Sequence, residues 1–329
     1  MESIPKTTRP GIFLSDTDPD LGEGFSNGFG KYSNIQEMAG GGDGVLLSCY
    51  DKNLRRKVAI KKLKPEHADN FGLQRRLVRE ARITAQLSHP NTVPVYEMGR
   101  TDNGEFYFAM KKVEGENLFK ILCRIAQGDE EARREFTLFR LLSILVQAGN
   151  ALAYAHARGV IHRDVKPENI LVGLFGEVYM MDWGVAKVWG MPNEELATEA
   201  GKAELMQRLT GPGRRPGTPL YMSPEQVLDK PIDERTDVFS LGVVLYEVLA
   251  LREPFRGETM RDTFGNILNE NPPPPSGITA QHFRVPTQLD DICAKAMQKK
   301  ANDRHQSMLQ LVREIRLFRE EAMQAGVGQ

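Results

Sequence analysis

Eight consecutive residues, His162 to Asn169, read HRDVKPEN and bring a carboxylate (Asp164), an ammonium (Lys166) and a side-chain amide (Asn169) into one short stretch. A second carboxylate, Asp182 of the tripeptide DWG, follows Asn169 by thirteen residues. A turn at Gly173 to Gly176 between two short strands folds the chain back between them, so both oxygen donors can converge on one cation. Oxygen donors suit a hard ion such as Mg²⁺. Upstream, Val58 to Lys61 read VAIK, a lysine on an apolar strand. A lysine in such a place needs a carboxylate to orient it before it can hold an anion.

Such groups must be positioned by rigid elements. From Tyr32 to Lys64, short apolar runs separated by glycines and a charged turn (Asp51 to Lys57) predict antiparallel strands. Asp69 to Leu87 has a helical period, with Leu77, Ala81, Thr84 and Ala85 on one face. Two further strands follow, near Val93 to Gly99 and Glu105 to Lys112. After a hinge-like VEGEN (Val113 to Asn117) the pattern turns to long helices, clearest over Thr137 to Ala157 with Leu138, Leu141, Leu142, Leu145 and Leu152. Gln127 to Arg134 (QGDEEARR) reads as a solvated loop. Thr236 to Leu251 is apolar almost all round and predicts a buried helix, and Pro286 to Phe318 predicts the closing helices.

Composition narrows the function classes. The 329 residues exceed one small core and imply two lobes, while 40% hydrophobic and 26% charged residues are ordinary for a globular chain. With 43 basic against 44 acidic residues, no polyanion-binding field is expected and nucleic acid is excluded as a partner. Cys49, Cys123 and Cys293 lie far apart without CxxC spacing, which argues against a zinc site or a disulfide framework and for a reduced, cytoplasmic setting. The longest apolar run, Leu241 to Leu251, is about half a membrane span and contains Glu247, so no membrane segment is expected. Residues 1–30, rich in Gly, Pro, Ser and Asp, read as a disordered tail.

The order of these motifs resembles that of the eukaryotic-like (Hanks-type) serine/threonine protein kinases of bacteria. The resemblance implies an α+β, bilobal fold: a small β-rich N-lobe with one helix at about 31–112, a hinge at about 111–117 and a larger, mainly α-helical C-lobe at about 118–318, with 319–329 as a tail. It implies ATP and Mg²⁺ (or Mn²⁺) as cofactors and transfer of the γ-phosphoryl group to protein Ser or Thr hydroxyls. By the same resemblance Asp164 receives the hydroxyl proton, Lys166 lies near the γ-phosphate, Asn169 and Asp182 hold metal, and Lys61 is oriented by Glu80, nineteen residues on.

For the nucleotide, the resemblance implies a glycine-rich loop and pocket formed by Met38, Gly40, Gly41, Gly42, Gly44, Leu46, Ala59, Lys61, Met110 as gatekeeper, the backbone of Lys111 and Val113, and Leu171 as floor. The chain departs from the pattern GxGxxGxV at Ala39, which replaces the first glycine, and at the acidic tip Asp43; Trp183 replaces the usual Phe after the metal aspartate. PGTPLYMSPE (Pro216 to Glu225) resembles the end of an activation segment, with Glu225 paired to Arg304. Asp237 resembles the buried brace of the catalytic loop, with His156 as its partner. Thr210 and Thr198 are the candidate phosphosites, Arg163 their reader, and a second copy of the chain a candidate partner for trans-autophosphorylation. The alternative reading is a pseudokinase scaffold, motivated by Ala39 and Asp43; retention of Lys61, Glu80, Asp164, Asn169 and Asp182 weighs against it.

Overall fold

A computed structural model describes residues 25–40, 44–188, 218–278 and 283–324. The tail expected over residues 1–30 therefore falls mostly outside the described residues. Five strands, β1 (Tyr32–Gly40), β2 (Gly44–Asp51), β3 (Arg56–Leu63), β4 (Val95–Arg100) and β5 (Phe106–Lys111), form an antiparallel sheet in the order β1-β2-β3-β5-β4. Alternation along the strands sorts two faces. Val45, Leu47, Cys49, Val58, Ile60, Tyr107 and Ala109 pack together on one. Ala59, Phe108 and Met110 pack with Leu73, Leu77 and Ala81 of α1 (Phe71–Gln86) on the other. The helix starts where the Asn70 side chain accepts the Leu73 amide at 3.1 Å.

The first described element lies slightly before the expected Lys31. A 3₁₀ turn at Gly28–Lys31 sets Phe29 edge-on to Tyr32 and Tyr107. The Glu97 carboxylate fastens this entry to the sheet, accepting from Lys31, from the Tyr32 hydroxyl at 2.9 Å and from the Tyr107 hydroxyl at 2.8 Å.

The remainder is mainly helical: α2 (Leu118–Ala126), α3 (Glu130–Glu135), α4 (Leu138–Ala157), α5 (Pro224–Val227), α6 (Arg235–Ala250), α7 (Met260–Asn269), α8 (Thr287–Ala296) and α9 (Met308–Gln324). Every residue from Thr236 to Ala250 is buried, so α6 is the axle of this lobe. Its Gly242 allows close approach of α8, since a Cβ there would lie 2.6 Å from that of Ala296. Among the described helices only α4 is long and apolar enough to cross a membrane, and most of it is buried within the core. Short strands complete the lobe: β6 (Gly115–Asn117), β8 (Ile170–Gly173) and β9 (Val178–Met180) in one sheet, β7 (Val160–Ile161) with β10 (Lys187–Val188) in another. The fold is α+β and bilobal, in the order the sequence predicts.

Three details correct the sequence reading. Gln127 to Arg134 is not simply a solvated loop: Asp129 caps α3 by accepting the Glu131 and Ala132 amides, and Ala132 is fully buried. The end of VEGEN is β6, paired with β8; a Cβ on Gly115 would come 2.0 Å from the Val172 carbonyl oxygen, so only glycine permits this pairing. The closing helix passes Phe318 and runs to Gln324, with Ala322 buried.

Candidate active site

The loop between β7 and β8 hangs from α6. Asp237, fully buried, accepts the backbone N–H of His162 on Oδ2 at 2.8 Å and of Arg163 on Oδ1 at 2.9 Å, while His156 Nε2 lies 2.7 Å from Oδ2. Burial would raise the Asp237 carboxyl, but the His156 bond, the nearby imidazoles and the His162 amide outweigh it and hold the group below its usual range. The strain this fixation sustains is visible at Arg163, a non-glycine residue at φ 68°. From below, Gln226 donates its amide to the Arg163 carbonyl at 2.9 Å. His162 Nε2 must carry a proton, since its partner at 2.9 Å is the Met181 carbonyl, which leaves Nδ1 to accept the Asp164 amide at 3.3 Å.

Within this loop Lys166 Nζ donates to Asp164 Oδ2 at 2.6 Å. Asn169 donates its amide to the Asp164 carbonyl at 2.7 Å and to Asp164 Oδ2 at 3.1 Å. With its nitrogen so engaged, Asn169 Oδ1 is left as an acceptor, the atom a hard cation takes. Lys61 in mid-β3 donates to Glu80 Oε1 of α1 at 2.5 Å and stands 3.8 Å from Asp182 Oδ1. Asp182 itself adopts φ 58°, and its Oδ1 also accepts the Gly184 amide at 3.3 Å. Sheet, α1 and the segment after β9 thus meet at one point. Among the described residues no three His, Cys, Asp or Glu cluster as a metal cage. Two oxygen donors, Asn169 and Asp182, fit Mg²⁺, which keeps water and phosphate oxygens for the rest of its shell.

Trp183, 1% exposed, fills the position after the aspartate and packs against His162 with ring centroids 4.5 Å apart. Its Nε1–H is buried without a hydrogen-bond partner.

The expected nucleotide pocket is largely brought together. Ala59 and Met110 are buried in one cluster, with Leu46, Val113 and Leu171 packed against it. Met38 lies at an irregularity in the β1–β2 register and is 44% exposed, outside that cluster. Gly40 ends β1 and Gly44 begins β2. Gly41, Gly42 and Asp43 lie outside the described residues, as do Thr198 and Thr210.

Near the start of α6, Arg304, its side chain fully buried, forms a two-pronged pair with Glu225 at 2.7 and 2.8 Å, the pairing expected from sequence. Burial raises the Glu225 carboxyl, and the Arg304 bonds more than reverse that and hold it low. Sequence reasoning missed Gln226 and Tyr179, the latter bonded to Lys111 at 2.5 Å. Only the capping box of Ser223 and Gln226 could have pointed to the first; nothing local marks the second.

Comparison with known proteins agrees with this geometry. The profile of the protein kinase domain family matches residues 32–326. The chain is 34% identical over 296 residues to the serine/threonine-protein kinase PknD of Protochlamydia amoebophila, covering 88% of this chain and 30% of that protein. To PknD of Chlamydia pneumoniae it is 35% identical over 289 residues, covering 87% and 31%. It spans about a third of the length of the curated relatives it matches.

Proposed function

Because this chain belongs to the protein kinase domain family, we propose that it binds MgATP between its lobes and transfers the γ-phosphoryl group to Ser or Thr hydroxyls of proteins. The observation that carries this is the junction of Lys61, Glu80 and Asp182, at 2.5 and 3.8 Å, facing a catalytic loop in which Asp164, Lys166 and Asn169 are mutually bonded.

Asn169 and Asp182 would hold Mg²⁺, which when bound neutralises phosphate charge. Lys61, oriented by Glu80, would hold the α- and β-phosphates. Asp164 is buried yet bonded through a single oxygen, so the other is available to orient an acceptor hydroxyl and receive its proton. Lys166 would move from Asp164 toward an incoming γ-phosphate. Transfer of this kind demands little covalent work, so positioning and charge neutralisation carry the acceleration. All five polar groups that a scaffold could dispense with are retained, which favours an enzyme over a pseudokinase. Autophosphorylation at Thr210 or Thr198, read by Arg163, belongs to the same proposal.

Incubating the purified chain with MgATP and mapping phosphosites by mass spectrometry tests it. Asp164→Asn and Lys61→Met are each expected to abolish phosphate transfer while the melting temperature stays near that of the unmodified chain. Autophosphorylation retained by Asp164→Asn would sink the assignment.

A further inference from the structure

Lys111 closes β5 at the junction of the lobes, and its amide is already committed, donating to the Pro94 carbonyl at 3.0 Å. Phosphate chemistry gives its side chain no task. Yet that side chain is not released into solvent. Its Nζ donates to the Tyr179 hydroxyl at 2.5 Å and lies 4.9 Å from the centre of the same ring. The bond to Tyr179 raises the affinity of the Lys111 amine for its proton, so the cation is the resident form.

Tyr179 belongs to the opposite lobe. It lies on β9 directly across from Leu171 of β8, so the two side chains share one face of that hairpin. Leu171 is the expected floor beneath the nucleotide. Tyr179, 6% exposed, packs in the same cluster as Ala59 and Met110, which belong to the sheet above. One lysine and one tyrosine therefore tie the strand that leads into the hinge to β9, the hairpin partner of the strand that carries the floor residue.

We propose that the Lys111–Tyr179 pair is a hinge clasp, a positioning pair that holds the Lys111–Val113 backbone at a set height above Leu171 and thereby sets nucleotide affinity. The inference rests on the nucleotide reading above. Hydrogen bonds weaken steeply with misalignment, so hinge amides and carbonyls serve a flat ligand edge only if their tilt is fixed. A hinge ordered beforehand spares the ligand the entropy of ordering it. An ammonium bonded to a hydroxyl and facing its ring is a directed, charge-assisted contact, suited to that restraint where an aliphatic pair would slide.

The test is calorimetric titration of the purified chain with MgATP. Tyr179→Phe keeps the ring and removes only the hydroxyl; Lys111→Met keeps the stem and removes only the charge. Each is expected to weaken MgATP binding by about three- to tenfold, with the double variant no worse than the weaker single one because the pair acts as a unit. Lys111→Arg, which still donates, should recover affinity to within about twofold of the unmodified chain. For Tyr179→Phe, turnover at saturating ATP should fall far less than the rise in KM, a split that general loss of folding would not produce. Unchanged affinity in both single variants, or losses that multiply in the double variant, would overturn the clasp alone. No MgATP binding by the unmodified chain would overturn the nucleotide reading, and the clasp with it.

Discussion

Asp237 and His156 are separated by 81 residues in the chain and by 2.7 Å in space. Between them they suspend the catalytic loop, because the carboxylate that meets the imidazole also receives the His162 and Arg163 amides. Removing it leaves three donors in a dry core. Asp237→Ala should cost about 3–5 kcal/mol of stability, read from urea unfolding. The carboxyl is held low in the folded state, so its stabilisation is complete above the unfolded carboxylate pKa, about 4, and is lost as pH falls through the lower folded value. Unfolding midpoints of the unmodified chain should decline on that acid limb. Asp237→Asn should start lower and decline less.

Arg304 and Glu225 form a buried ion pair, and its two halves differ in consequence. Glu225→Ala strands a guanidinium whose side chain has no exposure, though Gln298, Lys299 and Arg235 carbonyls still accept from it. A loss of about 3–5 kcal/mol is expected. Arg304→Met replaces the cation with an apolar stem; it takes one donor from each of three backbone carbonyls and the cation from Glu225, but that carboxylate keeps 13% exposure and a bond from Thr236, and no unpaired charge is left fully buried. Its cost should be smaller, and equal costs in thermal unfolding would contradict this account.

Trp183 sets packing against an orphan donor. Burying an N–H without a partner costs about 1–3 kcal/mol, which Trp183→Phe would recover while giving up part of the ring volume. The two effects offset, and the variant should lie within about 1 kcal/mol of the parent, whereas Trp183→Ala should lose about 3–5 kcal/mol. Denaturant melts of the two variants separate these effects.

Glu80→Gln keeps the size of the side chain and removes the charge that orients Lys61. Phosphate transfer should fall by about ten- to a hundredfold with folding little changed, since the pair is partly open to solvent. Radiolabel incorporation from ATP, compared at matched folded fraction, gives the ratio.

Legibility followed the range over which each signal acts. The loop from His162 to Asn169 was readable because its donors are neighbours in the chain, and α6 because every residue from Thr236 to Ala250 is buried and its composition says so. The α3 helix was not: Ala132 is its one buried residue, and a single apolar position has no period. Likewise β6 is three residues long and exists through its partner β8. Lys111 and Tyr179 sit 68 residues apart with nothing in either neighbourhood to announce the other. Contacts made by long side chains across lobes are settled by three-dimensional proximity, and local composition is silent about them.

The exposure of the Lys61–Glu80 pair, 26% and 10%, contrasts with the sealed Asp237 beneath it. In mechanical language, the lower lobe is the anvil and α1 the adjustable jaw. Water already reaches the joint of that jaw, so parting Lys61 from Glu80 by itself forfeits about 1 kcal/mol or less, and what resists a tilt of α1 is the packing of Leu73, Leu77 and Ala81 against the sheet. Dismantling the catalytic loop would require breaking a core.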